Sequence, residues 1–310
     1  MRHAAVPATR PSKVSSTNLD AFRSLVRAEG ARLYRDLPWR QTRDAYEIWL
    51  SEVMLQQTQV ARVQTRWQEW LDKFPSVFAL AEAGTADVLA AWQGMGYNRR
   101  ALALKAAAEE IVRSYDGVFP SDTKELVALP GIGPATAQGI RAFAYDLPGV
   151  YLETNVRAVV LHHLFPSVPG VPDKELVPLV QATCPHAAGD PFAVPQDEGD
   201  TPRSWYYAML DYGAYLKKTV PNPSRRAKAY TRQSKFEGSR RQKRAEVVRM
   251  LLAAQESGEM LDAARVLDGL NRVEHGAGRP AVELELVASI LDDLAREGFC
   301  REVDGAWRIA

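Results

Sequence analysis

The stretch "LVALPGIGPATAQGIRAFA", Leu126 to Ala144, decides how the rest of the chain is read. A short helix is expected to end near Leu129. Pro130-Gly131-Ile132-Gly133 then makes a tight turn, and Pro134 suits the first position of a new helix, where its missing N–H costs nothing. Gly131 and Gly133 carry no Cβ, so their backbone can approach another molecule closely. Their N–H groups, together with the helix N-terminus behind them, form an anion site. Ile132 is expected to pack beneath the turn. An ordinary helix–helix connection is the plain alternative, and "LPGIG" before an Ala-rich helix argues against it.

This is a helix-hairpin-helix pattern, which grips a nucleic-acid backbone without reading bases. Leu129, Gly131, Ile132 and Gly133 are therefore candidate backbone-binding residues. Working outward, nearly everything before residue 150 reads as short amphipathic helices: 19–35, 44–57, 60–73, 76–82, 86–93, 98–115, 122–128 and 134–145. Gly and Pro punctuate them, and strand-like alternation is scarce, so the architecture is all-α. Residues 166–203 are rich in Pro, Gly and acids and suit a loop around one short helix. A helix, "RSWYYAMLDYGAYLKK", follows from 203. The C-terminal part offers three helices and then "FCREVDGAWRIA", two short alternating strands about a "DG" turn. That order suggests a winged-helix-like module, with a plain helical cap as the alternative.

The 310 residues, 46% hydrophobic, allow a sizeable core in two or three subdomains. Net charge is only +1, but twelve Lys and Arg fall between Lys217 and Arg249, opposed locally by Glu237 and Glu246 alone. So lopsided a run favours a phosphate-facing patch over a plain solvated surface. Arg225, Arg226 and Lys228 are its candidate DNA-binding residues. The two cysteines, Cys184 and Cys300, cannot supply a four-thiolate metal or iron–sulfur site, so no cofactor is expected. No apolar run approaches a membrane span, and the first residues lack the apolar core of a secretory signal. A soluble, cytoplasmic chain is expected, with residues 1–18 disordered.

A second stretch, "YEIWLSEVMLQQTQV" (Tyr46 to Val60), holds an anomaly. Asp44 and Glu47 signal a helix start. Ile48, Trp49 and Val53 then form an apolar stripe, and Glu52 lies in that stripe. A buried carboxylate is costly unless paired or protonated. Either Glu52 is a satisfied structural acid, or its burial raises its pKa for use as a general acid.

The motifs together resemble the endonuclease III superfamily of DNA glycosylases. The resemblance rests on "PGIG" followed twenty residues after Gly133 by an acid, Glu153, in "VYLETNVRAVV". Within the superfamily, "LPWR" (37–40), "WLSEVMLQQTQV" (49–60), the stretch 74–111 with "GMGY", "LPGIG" and "MLDYGA" (209–214) resemble the MutY family of mismatch adenine glycosylases, over residues 35–216. The resemblance implies that Glu52 protonates a flipped adenine. It implies that Glu153, where the family has Asp, stabilises an oxocarbenium-like sugar or assists the incoming water. Asn155 matches a residue contacting the active-site network, and Arg40 one lining the base pocket. Gln56 matches a residue that wedges into the gap left by the extruded base, and Tyr97 one entering the duplex opposite it. The plain reading of Tyr97 is core packing. Ala135 stands where bifunctional members carry lysine, so Schiff-base lyase chemistry by that route is absent.

Two departures stand out. The family's four cysteines after the "MDLGA" motif are missing, replaced by basic side chains. No domain of the kind that reads 8-oxoguanine is recognisable. His162 and His163 face different ways on a helix and have no partners at ligand spacing, so no metal site is expected. Trp205, Tyr206 and Tyr207 read as helix packing. The expected organisation is a disordered 1–18, a glycosylase core 19–216 of two helical subdomains with a cleft between them, a basic linker 217–240 and the winged-helix-like module 241–310. The expected function is monofunctional hydrolysis of a mispaired or damaged base, most readily adenine, in double-stranded DNA by a nucleoid-associated monomer. A glycosylase for a deaminated base or mismatched thymine, and a catalytically weakened DNA-structure binder, are the alternatives.

Overall fold

The computed structural model describes residues 16–186, 199–232 and 234–310. Within them the order is α1 (Ser16–Leu33), α2 (Ala45–Met54), α3 (Val60–Lys73), α4 (Val77–Glu82), α5 (Thr85–Ala91), α6 (Arg99–Tyr115), α7 (Thr123–Ala128), α8 (Pro134–Tyr145), α9 (Thr154–Leu164), α10 (Asp173–Thr183), α11 (Pro202–Thr219), α12 (Arg240–Glu256), α13 (Ala263–Gly276), α14 (Leu284–Arg296), β1 (Cys300–Val303) and β2 (Ala306–Ile309). The described chain is all-α apart from the final hairpin, as its sequence indicates. Helix α1 begins at Ser16, inside the stretch expected to be disordered; residues 1–15 of that expectation lie outside the described residues. Helix α2 stops at Met54 rather than 57, because Gln57 takes a left-handed backbone, φ +55°, which a helix cannot continue through. No helix among the described residues is long and apolar enough to cross a membrane.

The described residues divide into two compact units, and the division differs from the expected one. The first unit takes the chain up to Glu52, then 121–128 and 132–232. Its core is built on α9 and α11. Val156, Val159 and Val160 of α9 share one buried cluster with Trp205, Tyr206 and Met209 of α11. The two helices meet closely at Gly213, where a Cβ would lie 2.2 Å from the Asn155 carbonyl oxygen. Only glycine fits there, which explains the "DYGA" signal. Trp205, Tyr206 and Tyr207 are indeed packing residues, all buried.

The second unit takes 53–120, 129–131 and 233–310. Trp70 anchors its N-terminal helices, edge-on to Trp92 at 5.5 Å and to Phe74 at 5.0 Å. Its C-terminal part shows the expected winged-helix-like order, three helices and an antiparallel hairpin. Asp304 and Gly305 make the hairpin turn with φ +51° and +78°, the left-handed pair such a turn requires.

Residues 217–232, the first part of the expected basic linker, carry local structure of their own. A short 3-10 turn, Pro223–Arg226, is capped by Asn222, whose Oδ1 accepts from Ser224 N at 3.0 Å. The Ser224 hydroxyl donates to the Thr154 carbonyl at 3.1 Å. Around Val171 and Ala227 two backbone bonds, of 2.8 and 2.9 Å, close a short bridge. The segment is stitched onto the first unit.

Candidate active site

Helix α2 places Glu52 as the sequence indicates. Asp44 Oδ1 accepts from the backbone N–H groups of Tyr46 and Glu47, capping the helix. Ile48, Trp49 and Val53 are buried, which turns Glu52 inward. Its carboxyl is recessed: solvent reaches part of the residue, yet the surrounding protein strips most of its hydration. That desolvation, reinforced by the negative charge of Glu153 and opposed by a hydrogen bond from Tyr151, raises its pKa to about 8. Tyr151 donates its hydroxyl to Glu52 Oε2 at 2.9 Å. Burial holds the Tyr151 phenol well above its ordinary range, so it remains a donor.

Gly139 of α8 makes room for this carboxyl. A Cβ there would lie 2.2 Å from Glu52 Oε2 and 3.0 Å from the Tyr151 ring. A glycine within a helix ordinarily costs about 1 kcal/mol relative to Ala. Here it is kept because the acid occupies the space a side chain would take.

Glu153 sits at the N-cap of α9, with Oε1 accepting from Asn155 N at 2.5 Å and Val156 N at 2.9 Å. Burial raises its pKa, while the α9 N–H groups and the Lys217 charge oppose the rise. Capping is commonly left to Asp, Asn, Ser or Thr. The longer glutamate does it here with one oxygen. The Asn155 amide donates to the other, Oε2, at 3.5 Å, and Asn155 Oδ1 is buried with no hydrogen-bond partner among the described residues. Glu52, Glu153 and Asn155 thus lie together, with three neighbours that the sequence did not single out for this place. Tyr151 and Gly139 carried no local signal. Lys217 was read as one of a phosphate-facing run, whereas it neighbours Glu153.

Arg40, expected from the resemblance to line the base pocket, is held in a buried ion pair. Its two terminal nitrogens bind the Asp211 carboxylate at 2.8 Å each, one also donates to the Arg35 carbonyl at 2.9 Å, and the guanidinium lies 4.3 Å from the Tyr207 ring centre. With its side chain 1% exposed, Arg40 is a buried structural cation rather than a pocket-lining donor. Losing one partner of such a buried pair costs several kcal/mol, about 3–5.

The expected DNA-facing residues fall into distinct groups. Gly131 has φ +73°, a conformation that favours glycine, and Gly133 caps α8 ahead of Pro134 with open space above its backbone. Leu129 and Ile132 are buried, so they anchor the turn instead of facing a ligand. Tyr97 is 39% exposed with φ +50°, which excludes the core-packing reading. Gln56 is exposed as well. Arg100 holds the loops that carry both, donating to the carbonyls of Val53, Met54, Gln56, Met95 and Gly96 at 2.7–3.1 Å. Burial lowers the Arg100 pKa to about 10, so it stays charged at neutral pH. Sequence reasoning did not find it.

The basic run is largely occupied. Arg226 donates to the Leu161 carbonyl at 2.6 Å and to the Pro166 carbonyl. Lys243 pairs with Glu274, Arg240 with Asp293, and Arg244 with Asp293 and Glu297. Arg225 and Lys228 remain exposed. His163 shares a hydrogen bond of 2.8 Å with the Tyr212 hydroxyl, and its pKa is lowered to about 4, chiefly by burial. Among the described residues no group of His, Cys, Asp and Glu is arranged to hold a metal ion.

The profile of the HhH-GPD superfamily base excision DNA repair proteins matches residues 50–177. Solved structures show the same fold. A thermostable thymine-DNA glycosylase superimposes over 64% of this chain and 87% of its own, with TM-score 0.53 and 22% identity. A trapped endonuclease III–DNA covalent intermediate covers 66% and 86%, with TM-score 0.51 and 15% identity. The adenine DNA glycosylase of Mycobacterium tuberculosis is 37% identical over 263 residues, 80% of this chain and 81% of that one. That of Mycolicibacterium smegmatis is 47% identical over 127 residues, 41% of this chain and 43% of its own. The chain belongs to the adenine DNA glycosylase family.

Proposed function

We propose that the protein binds duplex DNA and hydrolyses the N-glycosidic bond of a mispaired adenine turned out of the helix. The observation that carries this reading is the Glu52 carboxyl, kept protonated near neutral pH and oriented by Tyr151. With Tyr151 donating to Oε2, Oε1 is the oxygen that carries the proton. Transfer of that proton to a ring nitrogen of adenine lets the base leave neutral, taking the electron pair of the C1′–N bond. The sugar is left as an oxocarbenium-like cation. The Glu153 carboxylate places negative charge toward it, and its helix N–H partners and Lys217 hold that charge in place. Water then adds at C1′ and gives up its proton to a carboxylate. The Asn155 Oδ1 offers an acceptor for that water or for the base. Exposed Gly131 and Gly133 fit the sequence-independent backbone grip.

The family resemblance implies an iron–sulfur cluster after α11, and the residues do not fit one. Two cysteines cannot supply four thiolates, and the segment 217–232 is closed instead by Ser224, Arg226 and the Val171–Ala227 pairing. We infer that these bonds take over the structural role, and iron analysis of purified protein tests it: stoichiometric iron would refute the inference.

The test of function is a panel of duplexes bearing adenine opposite each partner base, uracil, hypoxanthine or mismatched thymine, scored for alkali-labile abasic sites. Release of adenine above the others is expected. Release of a deaminated base or thymine in preference would reassign the substrate. Tight binding with no release would mark a DNA-structure binder in which capping by Glu153 has replaced catalysis.

A further inference from the structure

The loop between α8 and α9, residues 146–153, delivers Tyr151 to Glu52, yet its backbone has little to hold it. Leu147 N–H closes on the Arg141 carbonyl at 3.0 Å. From Pro148 to Leu152, among the described residues, no backbone group bonds another backbone group. Polar backbone groups taken out of water need partners from elsewhere. One side chain of α11 supplies two of them. The Tyr206 hydroxyl donates to the Gly149 carbonyl and accepts from the Tyr151 N–H at 3.2 Å. A single oxygen thus ties together the residues on either side of Val150.

Tyr206 is well placed to act as a fixed post. It is fully buried, in the cluster that joins α9 to α11. Burial holds its phenol well above the ordinary range, so it keeps the proton that it donates. The buried Cys184 thiol is a further polar neighbour of that hydroxyl. The Tyr206 ring acts on Tyr151 as well. It meets the Tyr151 ring edge-on at 5.3 Å, and Phe143 does the same at 5.3 Å. Tyr151 therefore has its backbone pinned by a hydroxyl and its ring held between two neighbours. Its own hydroxyl then reaches Glu52 Oε2 at 2.9 Å. Phenylalanine at 206 would supply the same ring for packing. What the hydroxyl adds is the placement of Gly149 and Tyr151, and with it the point at which the Tyr151 phenol arrives.

We propose that Tyr206 is a positioning residue for base release: its hydroxyl fixes the Gly149–Tyr151 loop so that the Tyr151 hydroxyl meets Glu52. Tyr206 touches no reacting atom and acts through Tyr151. The proposal rests on the reading of Glu52 as the acid of the reaction.

A double-mutant cycle between Tyr206→Phe and Tyr151→Phe tests it, with two readouts. One is the Glu52 pKa in DNA-free protein, from carbon NMR of labelled glutamate. The other is single-turnover adenine release across pH. Glu52 faces Tyr151, Glu153 and Tyr207, and Tyr206→Phe changes none of these chemically. Alone, Tyr206→Phe should raise the Glu52 pKa above its wild-type value. It should slow release about tenfold, the lower end of what a lost hydrogen bond to a charged group costs. Added to Tyr151→Phe, it should change neither readout further. Leu176→Ala, a buried change in α10, should lower Tm and move neither readout. If Tyr206→Phe does not fold, 3-fluorotyrosine at 206 keeps the ring and both bonds but weakens the hydroxyl as an acceptor. It should move both readouts the same way by less. A folded Tyr206→Phe with both readouts unchanged, or with an equal effect on top of Tyr151→Phe, would overturn the proposal and leave Tyr206 as packing alone. Wild type that releases no base while the NMR cycle is non-additive sinks the functional reading and supports the link from Tyr206 to Glu52.

Discussion

Tyr151 donates its hydroxyl to Glu52 Oε2 at 2.9 Å across 99 residues of sequence. The bond ties α2 to the loop before α9 and leaves the other carboxyl oxygen for chemistry. Because it lowers the Glu52 pKa against the larger effect of burial, Tyr151→Phe should move the alkaline limb of the pH–rate profile to higher pH. It should also slow base release about ten- to a hundredfold, since a hydrogen bond to the charge that develops on Glu52 contributes about 1.5–3 kcal/mol. A pH profile superimposable on wild type would show that Tyr151 only packs.

Glu153 caps α9 and faces Lys217, and both functions can be separated. Glu153→Gln keeps an acceptor oxygen for the cap but removes the charge. Base release in single-turnover experiments should fall about 10²–10³-fold, the usual worth of one such electrostatic group. The alkaline limb should move to lower pH, because the Glu153 charge is one cause of the raised Glu52 pKa. Glu153→Asp keeps the charge with a favoured capping residue and is expected to stay within tenfold of wild type. Unchanged release by Glu153→Gln would remove this carboxylate from the mechanism.

Arg225 and Lys228 are exposed, whereas Arg226 holds the carbonyls of Leu161 and Pro166. Replacing Arg225 and Lys228 by Ala should flatten the log–log dependence of DNA affinity on salt by about 0.9 for each phosphate no longer neutralised. Arg226→Ala should instead lower Tm and leave the salt slope nearly unchanged. The opposite pattern would mean that the turn Pro223–Arg226 rearranges on DNA.

What could be read from sequence was local. Pro and Gly marked the helix boundaries, "LPGIG" marked the hairpin, and an acid in an apolar stripe exposed Glu52. What could not be read was the pairing of distant residues. The Arg40 ion pair was hidden because its partner Asp211 is 171 positions away. The basic run looked free because Glu274, Asp293 and Glu297 come from later helices. Lys217 looked like part of that run because nothing local links it to Glu153. Gln57, with neither Gly nor Asn at its left-handed position, gave no sign that α2 ends early.

The central claim is that Glu52 is a protonated general acid at neutral pH. Its folded pKa, about 8, lies far above the ordinary glutamate value near ~4.3. Ionisation therefore favours the unfolded chain, and stability is lost as pH rises from the ordinary value through 8. Glu52→Gln should accordingly raise Tm, more at alkaline than at acid pH, while abolishing base release and sparing duplex binding. The most direct measurement is single-turnover adenine release by wild type and Glu52→Gln from mildly acid to strongly alkaline pH. The account predicts a wild-type rate that falls as pH passes through about 8, and a variant with no pH-dependent release. A wild-type rate flat across that range, or a variant within tenfold of wild type, would contradict it.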